Sequence, residues 1–150
     1  MSSYSQGLPF WPSASPQRSA NAEEAVDDAD AQHVVAANLK PFIPSGEDFA
    51  KARQFFLDLG FSVNWEKEGY AELQLGSAVF ILQDFHTQTM QENLMMQAEV
   101  DDLDAWWNRI RVSGVLERYR GVRAREPTEY PWGNREVHLI DPAGVCWHFV

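Results

Sequence analysis

The sequence predicts an α+β domain made of two similar halves, each running strand, helix and then three strands. Strand-length apolar segments outnumber helical ones, and the two helical segments start behind acidic caps about 54 residues apart. That order then recurs, which is the mark of an internal duplication. The domain is placed at residues 32–150, with modules at about 33–90 and 91–150, behind a tail over residues 1–31.

The tail is rich in Ser, Ala, Pro and Gln and ends in the acidic residues Glu23, Glu24, Asp27, Asp28 and Asp30. Such composition suits a solubilising extension. Leu8, Phe10 and Trp11, set among prolines, instead suit docking into an apolar groove.

The first half opens with the extended apolar run VVAANLKPFIP. Ser45 or Asp48 then caps a helix through about Leu59, because Phe49, Ala52, Phe55, Phe56 and Leu59 recur at helical spacing and Gly60 ends it. Three strands follow as FSVNWE, YAELQL and AVFILQ, separated by the turn pairs Glu68-Gly69 and Gly76-Ser77. The second half starts with the strand LMMQAEV, and Asp101 or Asp102 caps a helix whose buried stripe is Leu103, Trp106, Trp107 and Ile110. Gly114 closes it. A strand around VRARE, a proline-bearing loop EPTEYPWG, the strand REVHLI, a DPAG turn and the terminal strand VCWHFV complete the chain.

The chain has 150 residues, 45% hydrophobic and 23% charged, which is enough apolar material for a core. Twelve Lys and Arg against 22 Asp and Glu give a net charge of −10. That balance argues against nucleic-acid phosphate and favours cationic partners. No apolar run approaches the roughly 18 residues of a membrane helix, and the N-terminus lacks the basic and apolar regions of a leader, so the expected location is the cytoplasm with no membrane partner. The single cysteine, Cys146, excludes an internal disulfide and a multi-cysteine zinc site. Asp84, His86 and Cys146 lack any local nucleophile signature, and no glycine-rich phosphate loop is present.

GEDFAKARQFFLDLGF and AEVDDLDAW, followed by PWGNREVHLIDPAGVCWHF, resemble the vicinal-oxygen-chelate superfamily of glyoxalase I, extradiol dioxygenases and bleomycin resistance proteins. The likeness is nearest to the bleomycin-binding proteins, through Pro131, Trp132, Gly133, Arg135, Glu136, Asp141 to Gly144, Cys146, His148 and Phe149. The resemblance covers Asn38 to the C-terminus. It implies two βαβββ modules, each a half-barrel sheet with helices outside, and a homodimer with clefts between sheets or subunits.

The resemblance also implies where a catalytic metal would sit, since enzymes of the superfamily hold a divalent ion by His, Gln or Glu on the first and last strands of each module. Those positions fall here on Pro41, near Phe80, on Met95 and on His148, with Gln83 the polar residue nearest to Phe80. Pro41 has no donor, and a thioether suits soft metals. The expectation is therefore no catalytic residues and no cofactor, with His148 and Gln83 the weak metal candidates.

A binding role follows from the aromatic content, 13% with six tryptophans. Flat side chains in an acidic cleft suit planar, cationic ligands. By resemblance the cleft aromatics are Trp65, Tyr70 and Trp132. Two departures reduce charge and stacking, Asn64 at an acidic position and Gln97 at a tryptophan position. Glu99, two residues along from Gln97, can restore a carboxylate on that face. Alternation on the last strand turns His148 to the cleft and Trp147 to the core. The function expected is sequestration of a bleomycin-like antibiotic by a homodimer, without catalysis. A metal-dependent lyase or dioxygenase with shifted ligands, His148 with His86, His138 or Gln83, is the alternative. A protein-interaction role for the tail is a third.

Overall fold

The computed structural model describes residues 34–150, and the sequence-predicted tail lies outside the described residues. Asn38–Val150 forms one unit. Its strands are β1 (Phe42–Pro44), β2 (Ser62–Lys67), β3 (Tyr70–Leu75), β4 (Ala78–Gln83), β5 (Met95–Ala98), β6 (Arg123–Glu129), β7 (Arg135–Ile140) and β8 (Cys146–Phe149). Its helices are α1 (Phe49–Asp58), α2 (Gln88–Asn93), α3 (Leu103–Ser113) and α4 (Val115–Arg118). None is long and apolar enough to cross a membrane.

The strands form two four-stranded sheets, ordered β1-β4-β3-β2 and β5-β8-β7-β6, and neither closes into a barrel. In each sheet the first strand of a module runs parallel to its last strand and the remaining pairs are antiparallel. The fold is thus α+β, with two βαβββ modules as expected.

Both main helices start where the acidic caps place them. Asp48 accepts from the Lys51 amide and Asp102 from the Ala105 amide, each at 2.9 Å, satisfying a donor that the first turn leaves free. Gly114 ends α3 in the left-handed conformation at φ 73°, which a side chain would disfavour. Glu68 and Gly69 both take positive φ in the tight turn between β2 and β3.

One face of each sheet is apolar and enters a common core. Ala71, Leu73, Phe80 and Leu82 come from the first sheet, Val137, Leu139, Trp147 and Phe149 from the second, and all are buried. Alternation puts the intervening residues on the opposite, open faces. Phe56 of α1 and Phe80 of β4 meet Trp147 of β8 at 5.5 Å and 5.2 Å between ring centroids, so the two modules are joined by aromatic packing.

Three local expectations change. The extended run over 34–44 shortens to Phe42–Pro44, because residues 34–40 lie exposed and only the last three reach the β4 edge. The strand at VRARE continues through Pro127 to Glu129, since a register shift between Arg125 and Thr128 takes the proline out of the ladder. The short helices α2 and α4 carry too few turns to leave a period in the sequence. α2 is fixed from outside instead, where buried Gln91 donates to the Ala143 carbonyl at 2.8 Å and accepts from the Thr87 amide.

Candidate functional site

The open face of the second sheet holds a column of stacked rings. The β6–β7 hairpin closes through the Tyr130 amide to the Asn134 carbonyl at 2.9 Å, which fixes the Pro131-Trp132-Gly133 tip. Trp132 stacks on Tyr130 at 4.5 Å and 15°, Tyr130 on His138 at 4.7 Å and 15°, and His138 lies 4.0 Å from His148, its partner in register on β8. The Arg125 guanidinium lies 5.7 Å from the Tyr130 centroid. Trp132 remains 61% exposed.

Glu136 supports the column from beneath and is only 2% exposed. Its Oε1 accepts from the Trp132 indole N–H at 2.8 Å, while Oε2 lies 2.8 Å from His138 Nε2 and 2.9 Å from His148 Nδ1. Tyr130 Oη is 3.2 Å from His138 Nδ1. One neutral tautomer set satisfies every contact: Tyr130 O–H donates to His138 Nδ1, and His138 Nε2–H and His148 Nδ1–H both donate to Glu136. Burial disfavours the charged carboxylate, yet the donors from Trp132, His138 and His148 prevail and hold it down at about 2.

On the first sheet a groove of about 430 Å³ is lined by Phe42, Trp65, Lys67, Glu68, Tyr70 and Ile81. Phe42 meets Tyr70 edge-on at 6.2 Å. Asn64 does not line this groove; its amide nitrogen donates to Glu72 Oε1 at 3.0 Å and to Gln74 Oε1 at 2.8 Å. Glu72, 7% exposed, also accepts from Lys40 Nζ at 2.8 Å. The Lys40 and Asn64 bonds hold its carboxyl below the usual range. Gln83 pairs with Tyr70 in register.

A third space, about 790 Å³, runs along the seam between the modules over Phe80, Trp106, Trp147 and Phe149. Gln97 and Glu99 line it together with Asp101, Asp102 and Arg109. Trp65, Tyr70 and Trp132 therefore do not share a cavity within one chain: the first two belong to the groove, the third to the ring column. Trp147 is buried and His148 half-buried on the opposite face, as alternation requires.

The four metal positions implied by the resemblance do not assemble. Pro41 offers only its backbone carbonyl, which accepts from Ile81; Phe80 is buried in the core; Met95 is exposed on β5. His86 lies 3.6 Å from Glu47 instead. Among the described residues, Glu136, His138 and His148 are the metal-ligand types that converge, their donor atoms all within 4.8 Å of one another.

Sequence reasoning did not single out Glu72, Tyr130 or the joint role of Glu136. Alternation alone places Tyr70, Glu72 and Gln74 on one face, and Glu136 with His138 on another. What no local pattern carries is the His138–His148 pairing, which needs the register of two strands.

The model of the glyoxalase/bleomycin resistance protein/dioxygenase superfamily matches residues 45–149. No curated protein sequence matches the chain. Among solved structures, a bleomycin-binding protein complexed with bleomycin aligns at a TM-score of 0.66 and 23% identity, covering 76% of this chain and 97% of that one. The bleomycin-binding protein of Streptomyces verticillus complexed with copper(II)-bleomycin gives 0.65 and 24%, over 78% and 97%. An antibiotic-binding protein from a Streptomyces species gives 0.60 and 23%, also over 78% and 97%. At these identities the structures speak to the fold, and the family match over residues 45–149 decides membership: the chain belongs to the glyoxalase/bleomycin resistance protein/dioxygenase superfamily.

Proposed function

We propose that this protein binds and sequesters an aromatic, cationic small molecule of the bleomycin-like antibiotic type, as a cytoplasmic homodimer and without catalysis. The observation that carries the reading is Trp132, a largely exposed indole held rigid by Tyr130 beneath it and by Glu136 on its N–H. An exposed aromatic ring immobilised in advance costs little entropy when a planar ligand stacks on it. The Glu136 carboxylate below adds negative potential for a cation. Structural likeness to proteins solved with bleomycin or described as antibiotic-binding supports the ligand class.

In a homodimer, the first-sheet groove of one copy facing the ring column of the other completes a cleft from Trp65, Tyr70, Trp132 and His148, with Asn64 supporting the groove. Gln97, in register with His148, then extends the cleft along β5, and Glu99 lines the seam between the modules. Protection is by mass action, because a bound drug cannot reach its target. A sub-micromolar constant, about −8 kcal/mol, is what this demands.

The test is a tryptophan-fluorescence titration of metal-stripped protein with bleomycin, repeated with Trp132→Ala, with the oligomeric state measured by sedimentation. Saturable quenching by a dimer, weakened at least about tenfold in the variant, is expected. A folded dimer that shows no saturable response removes bleomycin as the ligand.

A further inference from the structure

We infer that Glu136, His138 and His148 form a binding site for one divalent first-row transition-metal ion, built within the second sheet from β7 and β8. The inference is independent of the sequestration reading. It also differs from the strand-end ligand set, three of whose four positions here carry no ligand, because two of its three donors stand on β7.

The donor set is the first reason. Two imidazole nitrogens and one carboxylate oxygen suit zinc, copper(II), nickel or iron(II), and do not suit calcium or magnesium. Spacing is the second. Bonds of about 2.1 Å to three ligands put neighbouring donors about 3.0–3.4 Å apart. Glu136 Oε2 already lies 2.8 Å from His138 Nε2 and 2.9 Å from His148 Nδ1. Entry of an ion needs these gaps to widen by a few tenths of an ångström, and needs the two ring nitrogens, within 4.8 Å of each other, to stay near their present separation or close on one another.

Support around the ligands is the third reason. Metal-binding side chains work best when their other polar atoms are held by neighbours. The Trp132 N–H occupies Oε1 of Glu136, which leaves Oε2 for the metal. Tyr130 holds His138 by stacking and through Nδ1. In the metal-free network the hydrogens of His138 Nε2 and His148 Nδ1 both point at one carboxylate oxygen. An ion takes the place of both, and each neutral ring moves its hydrogen to the other nitrogen, so the two imidazoles release no net proton. His138 would then donate through Nδ1 to the Tyr130 oxygen. Each histidine side chain is 20% exposed, so the remaining coordination positions face the open side of the sheet.

The experiment is equilibrium dialysis of the full, metal-stripped chain at neutral pH against zinc(II), copper(II) or nickel(II) alone, with the bound ion counted by elemental analysis. Fluorescence of the tryptophans is followed with copper(II). One ion per chain at micromolar or tighter affinity is expected, weakened at least about tenfold by His138→Gln and unchanged by His86→Gln. Ring-nitrogen shifts in ¹⁵N NMR spectra of the zinc form should report the tautomer change at both histidines. His138→Gln replaces a half-buried residue, and circular dichroism confirms that it folds; His148→Gln serves if it does not. Absence of stoichiometric binding of any of the three ions, or binding that survives His138→Gln and His148→Gln, overturns the inference. No drug is present, so either result leaves the sequestration test untouched.

Discussion

The open faces of the two sheets each carry a buried carboxylate on the strand before last, Glu72 on β3 and Glu136 on β7, in different company. Glu72 is met by a full positive charge, the Lys40 ammonium at 2.8 Å, with Asn64 beside it. Glu136 is met by the N–H groups of Trp132, His138 and His148. Two modules with the same strand order therefore differ in electrostatic outcome. The first cancels its charge locally, whereas the second satisfies hydrogen bonds around a carboxylate that, among the described residues, has no lysine or arginine in contact with it. A satisfied acceptor that keeps its charge attracts cations, and on the second sheet it lies under the exposed Trp132 indole.

Removal of each carboxylate tests that contrast most strongly. Glu136→Ala deprives one indole and two imidazole donors of their acceptor and should lower the unfolding free energy by about 3 kcal/mol in urea titration. Glu72→Ala should cost clearly less, because Lys40 is part exposed and regains water. Equal losses would erase the distinction between the sheets.

The links between the paired strands supply the next comparison. β3 and β4 join through the short Gly76-Ser77 turn, while β7 and β8 join through a DPAG turn organised by buried Asp141. Oδ1 of Asp141 accepts from the Ala143 and Val145 amides and Oδ2 from the Trp147 indole. Burial outweighs these bonds and pushes its carboxyl from the ordinary 3.8 up to about 6. The native state thus holds this proton more tightly than the unfolded chain does. The stability it contributes is fully present below about pH 4 and lost as pH rises to 6, a change of about 3 kcal/mol. The unfolding free energy of the wild type minus that of Asp141→Asn should fall across that window and level off above it. A flat difference would mean that the turn holds an ordinary carboxylate.

Ligand binding sharpens the comparison further. If the two open faces meet across a dimer, Trp65→Ala should weaken bleomycin binding about threefold or more and Trp132→Ala at least about tenfold, roughly 1.4 kcal/mol. Loss confined to Trp132→Ala would leave the ring column as the whole site. The smallest effects belong where the modules are alike. Asp48→Ala and Asp102→Ala remove equivalent caps and should each cost about 1 kcal/mol, lowering the melting temperature by about 2–4 °C in calorimetry.

Much of the fold was legible because its signals are local. Asp48 and Asp102 cap where their spacing indicates, and the strands YAELQL, AVFILQ and REVHLI appear with the residue bounds read from the chain. Pro127 misled because a proline reads as a loop unless a bulge removes it from the ladder, and the bulge depends on the β7 partner. α2 went unseen because Gln91 anchors it to Ala143, more than fifty residues away. At the site, Trp132 and His148 could be given a role through resemblance, whereas Glu136 stood in the same resembling segment with no role assigned to it.

The sequence by itself determined the two modules, their caps, the apolar alternation and hence which side chains leave the core, because each depends on neighbours within a few positions along the chain. Only the tertiary structure decided that Lys40 neutralises Glu72 and that Tyr130, Trp132, His138 and His148 gather on Glu136. Those contacts depend on strand register, and a shift of one residue would turn Glu72, Glu136, His138 and His148 to the opposite face.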